Sequence, residues 1–305
     1  MSLELRRVSA SVAPAPGIRA VPTVTKLVDT STCIGCKACE VACQEWNDLP
    51  PESSTGQTGT YQTLSDLTAN FWNLITFNEH DDASGTLRWL MRKDQCMHCA
   101  EPGCLIACPA PGAVVQYGNG IVDFQQDQCI GCLYCITGCP FDVPKFNPAT
   151  RRVYKCTLCV DRVSVGLQPA CVKACPTSCL QFGTKQDMLE AATTRVEQLR
   201  AHGFANAAVY DPAGVGGTSV VTVLAFGDRP ELYGLPRDPT VPLAVQAWKG
   251  PVKWLGNLAM LGGLAAALVH YLRFGRKNPG SGIGDPRPGI RDSGSERAAN
   301  SRELP

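Results

Sequence analysis

CIGCLYCITGCP, residues 129–140, places four cysteines in the order C-x2-C-x2-C-x3-C and follows the last with proline. CIGCKACEVAC, residues 33–43, repeats the spacing. It is the spacing of bacterial ferredoxins, in which a short loop wound round an iron–sulfur cubane presents three thiolates to one cluster. The fourth cysteine starts the next helix and reaches the neighbouring cluster, so such motifs work in pairs. CMHCAEPGCLIAC, 96–108, and CTLCVDRVSVGLQPACVKAC, 156–175, are looser versions of the pattern. Four motifs predict two ferredoxin-like pairs and four [4Fe–4S] clusters.

Motifs two and three lie close together, with GAVVQYGNGIVDF (112–124) between them to supply strand, turn and strand. They are expected to pair, which leaves motifs one and four as a second pair into which the first is inserted. By the ferredoxin rule Cys33, Cys36, Cys39 and Cys175 hold cluster A, and Cys156, Cys159, Cys171 and Cys43 hold cluster B. Cys96, Cys99, Cys104 and Cys139 hold cluster C; Cys129, Cys132, Cys135 and Cys108 hold cluster D. Each set is complete, so no iron is left open to substrate. The chain is read as an electron carrier with no catalytic residue of its own. Zinc is the competing reading, because Cys156, Cys159, Cys171 and Cys175 would suffice for a tetrahedral site. The triple C-x2-C-x2-C is hard to explain that way.

The chain has 305 residues and 17 cysteines, an odd number that weighs against a secreted disulfide framework. No apolar signal region follows Arg6-Arg7. With 28 basic against 27 acidic residues there is no global field to draw it to nucleic acid. The expected layout is a flexible arm over 1–25, then a ferredoxin-like domain from 26–92 and 141–184 with 93–140 inserted. Residues 185–250 supply a helix, a strand and an extended connector toward the membrane. VKWLGNLAMLGGLAAALVHYL, 252–272, would span about 31 Å as a helix at ~1.5 Å per residue, close to the ~30 Å hydrocarbon core. A transmembrane helix is expected over 251–273 and a disordered tail over 274–305. The fold class is thus α+β: two ferredoxin-like 2×[4Fe–4S] domains, one inside the other, and one C-terminal membrane helix. Basic residues are denser after the span (Arg273, Arg276, Lys277, Arg287, Arg291) than before it (Arg237, Lys249, Lys253), which predicts a cytoplasmic C-terminus and a periplasmic body.

Other residues receive plainer readings. Lys145, Arg151, Arg152, Lys155, Arg162 and Lys173 surround motif four and would offset cluster charge or simply face water. His98 is expected in an exposed loop, Cys179 as a small buried hydrophobe, and His270 at the membrane interface or in helix packing rather than on a haem. Asn257 inside the span suggests a hydrogen bond to a membrane partner.

Four segments carry a resemblance: STCIGCKACEVACQEWND (31–48), RKDQCMHCAEPGCLIACP (92–109), NGIVDFQQDQCIGCLYCITGCPF (119–141) and VYKCTLCVDRVSVGLQPACVKACPT (153–177). They resemble the iron–sulfur β subunit of the membrane-bound respiratory formate dehydrogenases, nitrate-inducible and aerobic. The likeness runs through GVGGT, PELYGLP and WKG into the span, over about residues 26 to 273. It implies a subunit that takes electrons from a molybdopterin catalytic subunit, with molybdenum or tungsten, and passes them to a cytochrome b subunit and quinone at the inner membrane. It also implies export alongside a catalytic partner that carries the twin-arginine signal. Gln44 stands where the ferredoxin rule expects proline after motif one, and Cys132 is present in the third motif, where a ligand is replaced among related nitrate and sulfoxide reductase subunits. The rival within the redox class is the four-cluster subunit of another molybdoenzyme or hydrogenase; outside it, a zinc-binding adaptor.

Overall fold

The segments between the cysteine motifs, rather than the motifs, build the sheets that hold them. The computed structural model describes residues 5–8, 21–52, 59–81 and 85–275. β2 (Val24–Asp29) precedes motif one, β9 (Leu180–Thr184) follows motif four, and they pair antiparallel. β11 (Val220–Leu224) adds to β2 in parallel and β10 (Ala208–Tyr210) to β11, in the order β10-β11-β2-β9. Every residue of β11 is buried, as its β-branched run VVTVL requires of a strand covered on both faces.

One face is covered by α6 (Lys185–Ala201), which packs Ala192, Val196 and Leu199 on Leu27, Val221 and Val223. Thr184 caps it by accepting the Asp187 N–H at 3.2 Å. The opposite face, through Val28, Val220 and Leu224, joins a core that contains Cys39, Leu158, Cys171 and Cys179. The strand expected in residues 185–250, realised as β11, and the additional strand β10 therefore complete the sheet beneath motifs one and four.

Five short helices carry or follow the cysteines. α1 (Ala38–Trp46) holds Cys39 and Cys43, and α2 (Gly103–Ala107) holds Cys104 and ends at Cys108. α3 (Tyr134–Thr137) holds Cys135, α4 (Val160–Ser164) follows Cys159, and α5 (Ala170–Lys173) holds Cys171. α1 packs on α5, and α2 on α3. The second contact requires glycine: a Cβ on Gly103 would stand 2.1 Å from the Gly138 carbonyl oxygen.

β3 (Asn73–Asp81) and β4 (Leu87–Gln95) form an antiparallel hairpin in the register Asn73↔Gln95 to Asp81↔Leu87. β5 (Val114–Tyr117) and β6 (Val122–Phe124) realise the strand–turn–strand expected between motifs two and three. β1 (Leu5–Val8) pairs with β5, so these four residues are a strand where an arm was expected. The rest of residues 1–20 and the tail from 276 lie outside the described residues. β7 (Lys145–Asn147) and β8 (Arg152–Tyr154) form a small hairpin. α7 (Leu243–Ala247) packs on α2.

The chain to Lys253 forms one unit and the remainder a second. α8 (Lys253–Phe274) exposes Leu255, Leu258, Leu261, Leu264 and Leu268, and it is long and apolar enough to cross a membrane. A soluble helix buries such an apolar surface, whereas a lipid-facing one keeps it outside.

Candidate iron–sulfur centres

Each motif opens with the same backbone turn. The residue before the second cysteine is left-handed in all four: Gly35 (φ 65°), His98 (48°), Gly131 (67°) and Leu158 (52°). Only two are glycine, so the repeat is half visible in sequence. Gly35 and Gly131 also lack room for a side chain: an added Cβ would lie 2.7 Å from the Phe77 ring and 2.3 Å from the Arg151 carbonyl oxygen. In motifs two and four the turn points an N–H back at the first cysteine, from His98 to Cys96 Sγ and from Leu158 to Cys156 Sγ, each at 3.4 Å. Such donors favour the thiolate.

The thiols gather in sets that mix motifs. One small pocket is lined by Cys33, Cys36, Cys39 and Cys175, with Lys93 and Cys179. A second is lined by Cys96, Cys99, Cys104 and Cys139, with His98 and Lys155. Burial, and then the neighbouring charge of Cys156, Cys171 and Cys159, pushes the Cys43 thiol up to about 12. Burial together with Cys108, Cys129 and Cys132 does the same to Cys135, up to about 12. These neighbours are the members of the sets named B and D. All of the described cysteines are free thiols. Among the described residues no three candidate ligands come close enough to hold a lone metal ion. Four soft donors that surround a common pocket without closing on a single point fit a multi-atom thiolate cluster better than one zinc ion.

Three lysines are buried among these thiols: Lys26, Lys93 and Lys155. Lys26 Nζ donates to Gln95 Oε1 and to Cys171 Sγ at 3.6 Å. Lys155 Nζ donates to the carbonyls of Val122 at 2.6 Å and Cys156 at 3.0 Å. Burial alone would raise the Cys171 thiol, but Lys26 and Lys93 outweigh it and hold the thiol below its ordinary value. Of the basic group read around motif four, Lys155 and Arg162 are buried, with Arg162 stacked 4.1 Å over Trp46 of α1. Lys145 instead pairs with Asp66 and Asp142, and Arg151 and Lys173 are exposed. Sequence reasoning passed over Lys26 and Lys93, which lie outside the motifs and carry no spacing signal.

His98 corrects an expectation, because it is fully buried rather than in an exposed loop. Its Nδ1 accepts the Val122 N–H at 3.1 Å, and its Nε2 has no partner among the described residues. Burial first, then Lys155 and Lys26, hold its pKa well below the ordinary histidine value. Cys179 is buried as expected, and its thiol, which lines the same pocket as Cys33, is the main cause that draws the Cys33 thiol down to about 6. His270 lies on α8 with its ring centroid 5.2 Å from that of Phe274.

Comparison with known proteins agrees with this chemistry. Two family models described as "4Fe-4S dicluster domain" match residues 32–113 and 87–185. A third, "Formate dehydrogenase N, transmembrane", matches residues 241–281 and with α8 identifies a single-pass membrane anchor. The chain is 55% identical over 270 residues to the formate dehydrogenase iron–sulfur subunit of Haemophilus influenzae, covering 88% of this chain and 86% of that one. It is 55% identical over 253 residues to the nitrate-inducible formate dehydrogenase iron–sulfur subunit of Escherichia coli, covering 83% and 85%. The formate dehydrogenase-O iron–sulfur subunit of the same organism is 52% identical over 272 residues, covering 88% and 90%.

Proposed function

This chain belongs to the family of formate dehydrogenase iron–sulfur subunits, non-catalytic electron carriers of an oxidoreductase complex, and we propose that it holds four [4Fe–4S] clusters in sets A to D, ordered A–B–C–D. When bound, the clusters supply one-electron carriers spaced for tunnelling. The chain supplies the thiolates, the insulation and the fixed charge.

The observation that carries the order is the graded exposure of the thiols. Every cysteine of set B is buried, and set C is buried except at Cys139. Set A has the exposed Cys36 beside an Ile34 that is 60% exposed, and set D has the half-buried Cys129 and Cys132 beside an Ile130 that is 67% exposed. Ends of a wire must reach a partner; its middle must not. The junctions agree: α1 carries Cys39 of A and Cys43 of B, Lys155 stands near Cys96 and Cys104 of C and Cys156 of B, and α2 carries Cys104 of C and ends at Cys108 of D. Lys249, on the segment that runs into α8, donates to the Cys108 carbonyl at 3.0 Å, which supports D as the exit toward the membrane.

In this reading a molybdopterin catalytic subunit delivers electrons from formate at A, and a cytochrome b subunit takes them from D to quinone. The body lies on the periplasmic side of the inner membrane. The test is electron paramagnetic resonance on the anaerobically purified membrane complex as isolated, after formate and after dithionite. Cluster signals that grow with formate support both wire and donor. Signals with dithionite alone transfer the chain to another oxidoreductase, and fewer than four clusters by iron content overturn the ligand sets. A reporter enzyme fused after Pro305 and active only in the periplasm would reverse the orientation.

A further inference from the structure

Among the described residues, Lys93 is the buried lysine whose ammonium has no hydrogen-bond partner. It sits on β4 opposite Ile75, on the face shared with Met91 and Gln95. That face meets motif one, since a Cβ on Gly35 would press on Phe77 and Met91. Lys93 lines the cavity of set A, is 4% exposed, and its Nζ has no hydrogen-bond partner among the described residues. Lys26 and Lys155, equally buried, each have acceptors. An unpaired buried ammonium is costly, and a fold retains one only where something compensates it.

The compensating charges belong to two sets at once. Lys93 lines the space of set A with Cys33, Cys36, Cys39 and Cys175. Set B lies beside the same face: Gln95, next to Lys93 on that face, accepts from Lys26 Nζ, which also donates to Cys171 Sγ at 3.6 Å. Ile75, opposite Lys93, donates its N–H at 2.6 Å to Glu40 of α1, which stands between Cys39 of set A and Cys43 of set B.

We propose that Lys93 is a positioning residue for electron transfer, a fixed cation shared by sets A and B that raises the reduction potentials of both clusters together. The proposal rests on the ligand sets above. One-electron reduction adds one negative charge to a thiolate-bound cluster, and an ammonium beside it favours the reduced form. The lysine keeps its protons throughout, so no bond changes. Raising both potentials together favours entry of the electron into the subunit and leaves the difference across the first hop unchanged.

The test is Lys93→Met in the full membrane complex, which keeps the stem and removes the charge. Iron content is measured, and each cluster is titrated with dithionite and mediators under electron paramagnetic resonance. The expected result is full iron, a shift of tenfold or more toward the oxidised form in two clusters, or 59 mV and above for one electron, and no shift in the other two. Full iron with all four potentials unmoved overturns the proposal. If Lys93→Met loses iron, Lys93→Arg decides: native potentials with iron retained uphold the charge, while loss of iron again makes Lys93 an assembly residue and overturns it. Cys43→Ala separates this failure from failure of the ligand sets, because those sets fall if that variant keeps all four clusters, whatever Lys93 does.

Discussion

Gly103→Ala tests how closely the inserted cysteine pair is held. The new methyl would lie 2.1 Å from the Gly138 carbonyl oxygen, against the 3.4 Å or more of an ordinary contact, so α2 and α3 must separate by more than an ångström. Overpacking of this kind costs ~1–3 kcal/mol. Neither helix has the length to be stable alone, so the strain passes to the cysteines they carry, Cys104 and Cys135, and to Cys108 and Cys139 at their ends. Expressed in the unfolding rate, ~1–3 kcal/mol speeds cluster bleaching in urea by roughly 5- to 150-fold. The assay follows iron–sulfur absorbance of the purified complex in urea, with paramagnetic resonance on quenched samples; the signals of C and D should fall before those of A and B. Gly183→Ala is the control, because its methyl meets only the flexible Met188 tip at 3.1 Å and should change the rate little. A Gly103→Ala complex that bleaches at the parent rate would refute the reasoning.

Cys135→Ala should remove one cluster and abolish quinone reduction by formate while leaving dye reduction by the catalytic partner; undiminished quinone reduction would exclude a wire through D. Cys179→Ala should keep all iron, since Cys179 lines the set A pocket but is outside the four sets, and should leave the potential of cluster A near its parent value. A potential titration checks this, and loss of a cluster would make Cys179 a ligand. Lys155→Met should impair assembly, because it strands two buried carbonyls, at ~1–3 kcal/mol each, that Lys93→Met does not. Iron content after identical purification compares the two.

The ferredoxin spacing made the gathering of the thiols readable because it is a local rule: where three cysteines follow one another at short intervals, the chain has little choice but to turn them toward a common space. The helical stripe of α6 and the β-branched run of β11 were legible for the same reason. What was not legible is what comes from far along the chain. Lys26 reaches Gln95 and Cys171 across the fold, and nothing near it marks it as buried. His98 looked like a loop residue between two cysteines, yet β6 closes over it through Val122. The β3–β4 hairpin has the alternation of a strand pair, but its inner face is mixed: Lys93 and Gln95 point where apolar residues would ordinarily go.

That mixture has a physical reason. A domain packed with thiolate clusters concentrates negative charge in an interior with little water, and each electron adds to it. An apolar lining would leave that charge uncompensated, and surface cations are screened by solvent before they reach it. Buried cations are the remaining means, and each needs its own restraint. Lys155 is held by two carbonyls, one on β6 between motifs two and three and one in motif four, so the same ammonium ties β6 to motif four. Lys26 is held by a side-chain amide and a thiol. Lys93 has neither, which leaves the clusters themselves as its counter-charge and makes it the lysine whose removal should register in potential rather than in folding.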